Sequence, residues 1–275
     1  HRYGAVEALA DDPDVDIVYV ATPPSSHRFD VRMCLEAGKA VVCDLPLATG
    51  ADEAAGLLAL ARERELFLLA APWMRFLPLI RRLRALLAEG VIGTPRILSA
   101  DIGVLPPANS ILQPRDERTG DETLAGAAAA LAALASTIFG APVRVISERR
   151  LGSTSHTQMA AHLAYTGGQL ATLMAATYVN APQEATIIGE AGWLRIHTRW
   201  WAPEAFTLTS GVTQQVVHAP KLGNSASYVA DEAMRCLRAG QLESHVMPHE
   251  ETLAIMRTVD QLCHQWGAPF LEIVH

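Results

Sequence analysis

The chain has 275 residues, a formal net charge of −7 and a pI near 5.8. Hydrophobic residues make up 50% and charged residues 19%, which is typical of a globular chain with enough core for two domains. An acidic surface repels phosphate backbones, so we expect no nucleic-acid partner. The longest apolar run, residues 124–139, is short and alanine-rich, so we expect no membrane contact. The cysteines lack CxxC spacing and no signal peptide is evident, which favours a cytoplasmic protein with reduced thiols.

The first 72 residues alternate helical segments with short apolar runs. The runs predict strands buried on both faces of a parallel sheet: residues 15–21, 40–43 and 66–71. Helices are predicted beside them: residues 6–9, 25–37 and 49–64. Ser25 or Ser26 is the expected cap of the second helix, and Thr49 with Asp52 reads as a capping box for the third. This order predicts an incomplete, Rossmann-like, doubly wound parallel sheet.

From Trp73 onward the pattern changes to alternating runs and longer helices. The alternating runs predict strands at residues 97–104, 143–149, 156–165, 169–178, 184–188, 193–197, 206–210 and 213–217. Helices are predicted at residues 77–89, 123–139, 227–239 and 248–266, with a loop at 105–122. We therefore predict a truncated nucleotide-binding-type domain at 1–72, followed by an α+β substrate and dimerisation domain at 73–275. Its sheet is expected to be open-faced and mostly antiparallel.

Several motifs occur in one order along the chain. They are Val41-Val42-Cys43-Asp44-Leu45-Pro46-Leu47, Gly167-Gly168-x-Leu170-Ala171, Gly189-x-Ala191-Gly192-Trp193-Leu194 and Arg199-Trp200-Trp201-x-Pro203-Glu204. In this order they resemble the glucose–fructose oxidoreductase / inositol dehydrogenase (Gfo/Idh/MocA) family, and most closely its dihydrodiol dehydrogenase-like branch. The resemblance implies a nicotinamide-dependent oxidoreductase scaffold. It also implies a homodimer formed through the sheet of the second domain.

A glycine-rich GxGxxG turn, which cradles a dinucleotide pyrophosphate, is absent from the sequence. By resemblance, the chain enters the family pattern at the helix before the fourth strand. We therefore expect this chain to bind no cofactor, and to bind NAD(P) only if the missing segment is supplied. The edge of the first strand, residues 17–20, is expected to lack a partner.

Three positions that handle protons in the family carry inert residues here. Relatives have Glu-Lys-Pro where this chain has Asp44-Leu45-Pro46, and the lysine is the usual catalytic residue. A helical motif of the family, laid without gaps on residues 124–131, places Gly126 at an aspartate and Ala130 at a histidine or tyrosine. The resemblance therefore implies loss of hydride-transfer chemistry.

The remaining polar groups near the expected cleft define the candidate site. His27 and Asp44 form a candidate acid/base pair, since Asp44 follows a strand at the edge where ligands bind in open α/β sheets. Trp73 and Arg75, at the predicted domain junction, are candidate substrate-binding residues, although a structural ion pair explains Arg75 equally well. If a cofactor binds, its expected contacts are Thr22, Pro23, His27, Asp44 and Pro46. No metal site is predicted.

Three hypotheses about function follow from the sequence. The first is a pseudo-oxidoreductase with a non-redox catalytic or binding role on a small molecule. The second is an NAD(P)-dependent oxidoreductase acting on a sugar, polyol or dihydrodiol, whose cofactor-binding segment is absent from this chain. The third is a non-catalytic scaffold that pairs its exposed strand edge with another chain.

Overall fold

The computed structural model describes residues 2–104, 117–151, 157–219 and 223–266. In the first part, a small sheet has three parallel strands in the order β1-β2-β3: β1 Ile17–Val20, β2 Ala40–Asp44 and β3 Leu68–Ala71. Three helices accompany it: α1 Val6–Ala10, α2 Pro24–Glu36 and α3 Ala51–Glu63. The Rossmann-like fold class is confirmed. Among the described residues β1 pairs with β2 alone, as expected for an open edge.

The helix caps differ from those predicted. Helix α2 begins at Pro24, with Pro23 at its N-cap and no side-chain cap, so the predicted serine cap is wrong. Proline fits the first helical position because the amide there has no partner inside the helix. Helix α3 has Gly50 at its N-cap, and Thr49 bonds to the carboxylate of Glu53 through its backbone amide and hydroxyl. The capping partner is therefore Glu53 and not the predicted aspartate.

The second part forms a larger mixed sheet. A 3₁₀ turn at Trp73–Phe76 begins this part. Its helices are α4 Pro78–Ala88, α5 Glu117–Phe139, α6 Ser225–Arg238 and α7 His249–Gln265. The strands are β4 Pro95–Val104, β5 Arg144–Leu151, β6 Thr157–Ala164, β7 Leu170–Thr177, β8 Ala185–Gly189, β9 Gly192–Ile196, β10 Ala205–Ser210 and β11 Thr213–His218. Helix α5 begins six residues before the predicted start, inside the predicted loop.

The eight strands lie in the order β11-β10-β9-β8-β4-β7-β6-β5. Only the β4–β7 pair is parallel among these described neighbours, so the sheet is mostly antiparallel as predicted. Side chains alternate between the faces along β6: Met159, Ala161 and Leu163 are buried, whereas Gln158 and His162 are exposed. The buried face packs against α5, whose alanines permit a close approach. No described helix packs on the opposite face of these strands.

One core cluster joins the two parts of the chain. It contains Val42 and Phe67 from the first sheet, Ala129 from α5, and Ile255 and Val259 from α7. The carboxylate of Asp260 in α7 also accepts a hydrogen bond of 2.8 Å from the backbone amide of Ala51 at the start of α3. Helix α7 therefore docks on the first sheet. No helix of the described chain is long and apolar enough to cross a membrane.

Candidate functional site

Strands β1 and β2 bring a tyrosine and a carboxylate together at the carboxyl edge of the small sheet. Tyr19 lies opposite Val42 in the register, and its hydroxyl donates a hydrogen bond of 2.6 Å to Oδ1 of Asp44. Burial raises the pKa of Asp44, although the tyrosine hydrogen bond and the nearby charge of His27 oppose the shift. Burial and the adjacent carboxylate raise the pKa of Tyr19 above its usual range. The tyrosine is therefore a donor to Asp44 and a poor candidate for a general base.

His27 joins the two loops that border this edge. Its side chain is buried; Nδ1 lies 2.7 Å from the carbonyl oxygen of Pro46, and Nε2 lies 2.7 Å from that of Thr22. A neutral imidazole carries one N–H and can donate to only one of these carbonyls, whereas a protonated ring carries two and can donate to both. Neither ring nitrogen is available to a substrate in this arrangement. The position fits a residue that holds the β1–α2 turn against the loop after β2.

The three residues that the resemblance predicts at the family's proton-handling positions offer no titratable group. Leu45 is partly buried and packs against the two core clusters that flank the small sheet. Ala130 is partly buried against the core under the large sheet. A side chain added at Gly126 would meet no atom within 4 Å of its Cβ, so the space for a larger residue remains. Crowding therefore does not explain the glycine at this helix position.

Arg75 forms the structural ion pair that the sequence offered as the alternative, and its contact with a substrate stays a prediction. Its side chain is 1% exposed and forms an ion pair of 2.5 Å with Glu251 of α7. It also donates to the hydroxyl of Thr137 at 2.8 Å and to the carbonyl oxygen of Val246 at 3.3 Å. Ser136 donates to the same carboxylate at 2.6 Å. These bonds leave the guanidinium enclosed between α5 and α7.

Trp73 lies at the junction of the two parts of the chain. It is partly buried and packs against both the core of the large sheet and the cluster shared by the two parts. Its indole nitrogen donates a hydrogen bond of 3.1 Å to the carbonyl oxygen of Trp201, which itself packs edge-on against the buried Trp200. The hydrogen bond and the apolar packing fix the indole ring of Trp73 at this junction. Its contact with a substrate stays a prediction.

The described residues do not fit a dinucleotide pyrophosphate. Helix α2 opens with Pro23 and Pro24, which carry no backbone N–H for a phosphate. The start of α3 is occupied by the carboxylate of Asp260, which accepts from the amide of Ala51. Among the described helices that follow strands of this sheet, neither α2 nor α3 therefore presents its N-terminus to a phosphate. The cofactor contacts predicted for Thr22, Pro23, His27, Asp44 and Pro46 are untested, and the hydroxyl of Thr22 already donates to Asp30 at 2.5 Å.

Sequence reasoning missed the residues that depend on long-range pairing. Tyr19 is the one polar-tipped side chain in the strand Ile17–Val20, and that contrast is the signal that could have found it. Glu251 carried no such signal, because it lies 176 residues from Arg75 in the chain.

A small parallel sheet joined to a larger mixed sheet is a two-domain fold that the chain shares with solved oxidoreductase structures. Two family descriptions match the chain: "Oxidoreductase family, NAD-binding Rossmann fold" over residues 1–71 and "GFO/IDH/MocA C-terminal domain" over residues 80–195. The chain belongs to the Gfo/Idh/MocA family of NAD(P)-dependent oxidoreductases, and its relatives lie in the dihydrodiol dehydrogenase-like branch.

Two relatives and one solved structure illustrate the likeness. The mouse trans-1,2-dihydrobenzene-1,2-diol dehydrogenase is 30% identical over 279 residues, which cover 98% of this chain and 82% of the mouse protein. The D-xylose 1-dehydrogenase (NADP(+)) of Hypocrea jecorina is 30% identical, with 99% of this chain and 78% of that protein covered. A 3-ketoreductase from Actinomadura kijaniata in complex with NADP and TDP-benzene superposes with a TM-score of 0.80, at 22% identity over 94% of this chain and 81% of that chain. This last likeness supports the fold.

Proposed function

We propose that this chain is a pseudo-oxidoreductase: a family member that binds a small molecule at the carboxyl edge of the small sheet but does not catalyse hydride transfer. The proposal is supported by the resemblance, which places Leu45, Gly126 and Ala130 at three proton-handling positions of the family, and by the apolar or open surroundings of each. Oxidation of an alcohol requires a base for the hydroxyl proton as well as an acceptor for the hydride. None of these three side chains can be that base.

The polar groups that remain nearby do not restore the lost function. Tyr19 holds its proton because burial and Asp44 raise its pKa. Both ring nitrogens of His27 face backbone carbonyls. Asp44 is the remaining carboxylate at this edge among the described residues of β1 and β2, so a non-redox reaction at this site would use Asp44 as its acid or base.

A second candidate function is NAD(P)-dependent oxidation of a sugar, polyol or dihydrodiol with Asp44 as the base. The family's NAD(P) dependence favours it. So does the raised pKa of Asp44, because a carboxylate becomes a stronger base as its pKa rises toward neutrality. The absence of a phosphate cradle in the described residues weighs against it, and we propose that this 275-residue chain binds nicotinamide cofactors weakly.

Nicotinamide absorbance separates the two candidates. The purified chain is assayed with NAD(P) at millimolar concentration against sugars, polyols and dihydrodiols. We expect no turnover by the unmodified chain. We also expect none from Leu45→Lys, because catalytic residues that act as a unit do not regain activity when one of them is restored alone. Leu45→Met is the matched control, since it changes shape without adding a charge. Robust turnover by the unmodified chain would refute the pseudo-oxidoreductase, and loss of that turnover in Asp44→Asn would establish the second candidate.

We also propose a homodimer through the open face of the large sheet. Ile97 of β4 lies opposite Leu170 of β7 and Ile188 of β8, and the three are 41%, 52% and 40% exposed. These three side chains form a continuous apolar surface across three neighbouring strands, and we call it the apolar ridge. A two-fold contact between two such ridges would remove this surface from water in both protomers. Pairing of the open edge of β1 with another chain, as in a scaffold, is the alternative arrangement.

A further inference from the structure

Two backbone carbonyl oxygens lie at hydrogen-bond distance from the two ring nitrogens of His27. The residue is 1% exposed and lies in the first turn of α2, between the β1–α2 turn (residues 21–23) and the loop after β2 (residues 45–50). Nδ1 lies 2.7 Å from the carbonyl oxygen of Pro46, and Nε2 lies 2.7 Å from that of Thr22. Both partners of the ring are therefore acceptors, because a carbonyl oxygen cannot donate.

A neutral imidazole fits this arrangement poorly. It carries one N–H, so its second nitrogen would direct a lone pair at a carbonyl oxygen 2.7 Å away. The two lone pairs would repel, and that carbonyl would lose its hydrogen bond inside the protein, which is unfavourable for a buried polar group. A protonated imidazole carries two N–H groups. It donates to both carbonyls through charge-assisted hydrogen bonds, which are stronger than neutral ones.

The surroundings of the ring supply a counter-charge. A buried cation is unfavourable unless it is hydrogen-bonded and paired with an opposite charge. Burial raises the pKa of Asp44 at the end of β2, and the charge of His27 opposes that rise. A second carboxylate, that of Asp30 on α2, lies close enough to Cys43 to act on its thiol. A positive charge on His27 is therefore stabilised by carboxylates from β2 and α2.

The other titratable groups at this edge add no repelling charge. Burial raises the pKa of Tyr19 on β1 and that of Cys43 on β2, so both stay protonated and uncharged near neutral pH. The cation next to His27 on α2 is Arg28, which is paired with Glu53 of α3 at 2.7 Å. The charges that bear on the ring therefore favour its protonated form.

His249 provides a contrast within the same chain. It is 2% exposed and its Nε2 lies 2.9 Å from the carbonyl oxygen of Leu68, but its Nδ1 has no hydrogen-bond partner among the described residues. The carboxylate of Glu243 lies 3.8 Å from Nδ1, too far for a hydrogen bond. Burial lowers the pKa of His249, although the bond to Leu68 and the charge of Glu243 oppose the shift. With one acceptor, His249 is expected to carry one N–H and no charge.

We propose that His27 is a protonated positioning residue, whose imidazolium ties together the two loops that border the carboxyl edge and supplies a positive charge beside Asp44. It is then neither the acid nor the base of the site. The inference rests on the proposed function in one respect, because only there is Asp44 the acid or base of a reaction. A neutral side chain at position 27 would release one of the two loops and leave Asp44 more easily protonated.

Nitrogen NMR of the full chain with ¹⁵N-labelled histidine rings counts the ring protons. Near neutral pH we expect two protonated nitrogens in His27 and one in His249. The two rings are assigned by the signals that disappear in His27→Gln and in His249→Gln.

The second measurement is the pKa of Asp44 by carboxyl ¹³C NMR. His27→Gln keeps N–H donors but carries no charge, so it is expected to raise this pKa. His27→Lys keeps both a charge and several donors, so it is expected to bring the pKa back toward that of the unmodified chain. His249→Gln is the matched control, because it removes a buried histidine that is expected to be neutral, and it should leave the pKa of Asp44 unchanged.

A His27 ring with one unprotonated nitrogen near neutral pH would overturn the proposal. An Asp44 pKa that does not change in His27→Gln would also overturn it, and so would equal values in the glutamine and lysine variants, because a merely structural contact would then be sufficient. Circular dichroism establishes that the variants are folded, and the proton count in the unmodified chain is decisive if one of them is not. Turnover with NAD(P) would refute the pseudo-oxidoreductase without changing that count, so the two failures are distinguishable.

Discussion

Removing the carboxylate that neutralises Arg75 is expected to destabilise the whole fold. In Glu251→Gln the guanidinium would keep its bonds to Thr137 and Val246 but lose its counter-charge while 1% exposed. Breaking one partner of a buried ion pair costs about 3–5 kcal/mol. We expect the lower end, about 3 kcal/mol, because the side chain of Glu251 is 27% exposed and water can enter where it stood.

The loss should depend on pH in one direction. Burial by itself raises the pKa of Glu251, but the hydrogen bond and charge of Arg75 outweigh it, so the folded pKa lies below the ordinary 4.5. A carboxyl with a lowered folded pKa stabilises the fold above its unfolded pKa, and this contribution is lost as pH falls through the folded pKa. The difference between the natural chain and Glu251→Gln is therefore expected to be constant near neutral pH and to shrink below pH 4.5.

Urea denaturation of the natural chain and its variants measures the effect. Glu250→Gln is the matched control, because it makes the same substitution in the same first turn of α7 at an exposed position. The double variant Arg75→Met/Glu251→Leu is expected to recover most of the loss, since replacing both charges leaves none unpaired. A free energy of unfolding for Glu251→Gln within about 1 kcal/mol of that for Glu250→Gln would refute the buried-pair argument.

Three further predictions concern the site and the assembly. Tyr19→Phe is expected to raise the pKa of Asp44 further, because the tyrosine hydrogen bond opposes the effect of burial; carboxyl ¹³C NMR titration measures it, and an unchanged or lower pKa would contradict the pairing. Calorimetric titration of the chain with NAD(H) or NADP(H) is expected to give weak or no binding, and micromolar affinity would defeat that expectation. Leu170→Arg is expected to give a monomer by light scattering while Val212→Arg, at an exposed hairpin tip, leaves the dimer intact; a natural chain that is monomeric at tens of micromolar would exclude the dimer.

The sequence predicted the order of elements closely, because periodicity is a local property. Continuous apolar runs marked the strands of the small sheet, and alternation marked those of the large one. The boundaries were less secure: α5 begins at Glu117, inside a segment whose prolines and charges had predicted a loop. The family was also readable, because motifs in a fixed order can be aligned without any knowledge of the fold. That Leu45 stands in place of the family's lysine stays a prediction.

Only the tertiary structure decided which partners the predicted site residues contact. Tyr19 meets Asp44 only because the parallel register of β1 and β2 places them on one face, 25 residues apart in the chain. His27 connects two loops because the fold places the carbonyl oxygens of Thr22 and Pro46 beside its two ring nitrogens. Arg75 found its partner 176 residues away, on a helix that folds back over the first sheet. Local patterns carry the period of an element, but register and long-range partners arise only when the elements pack together.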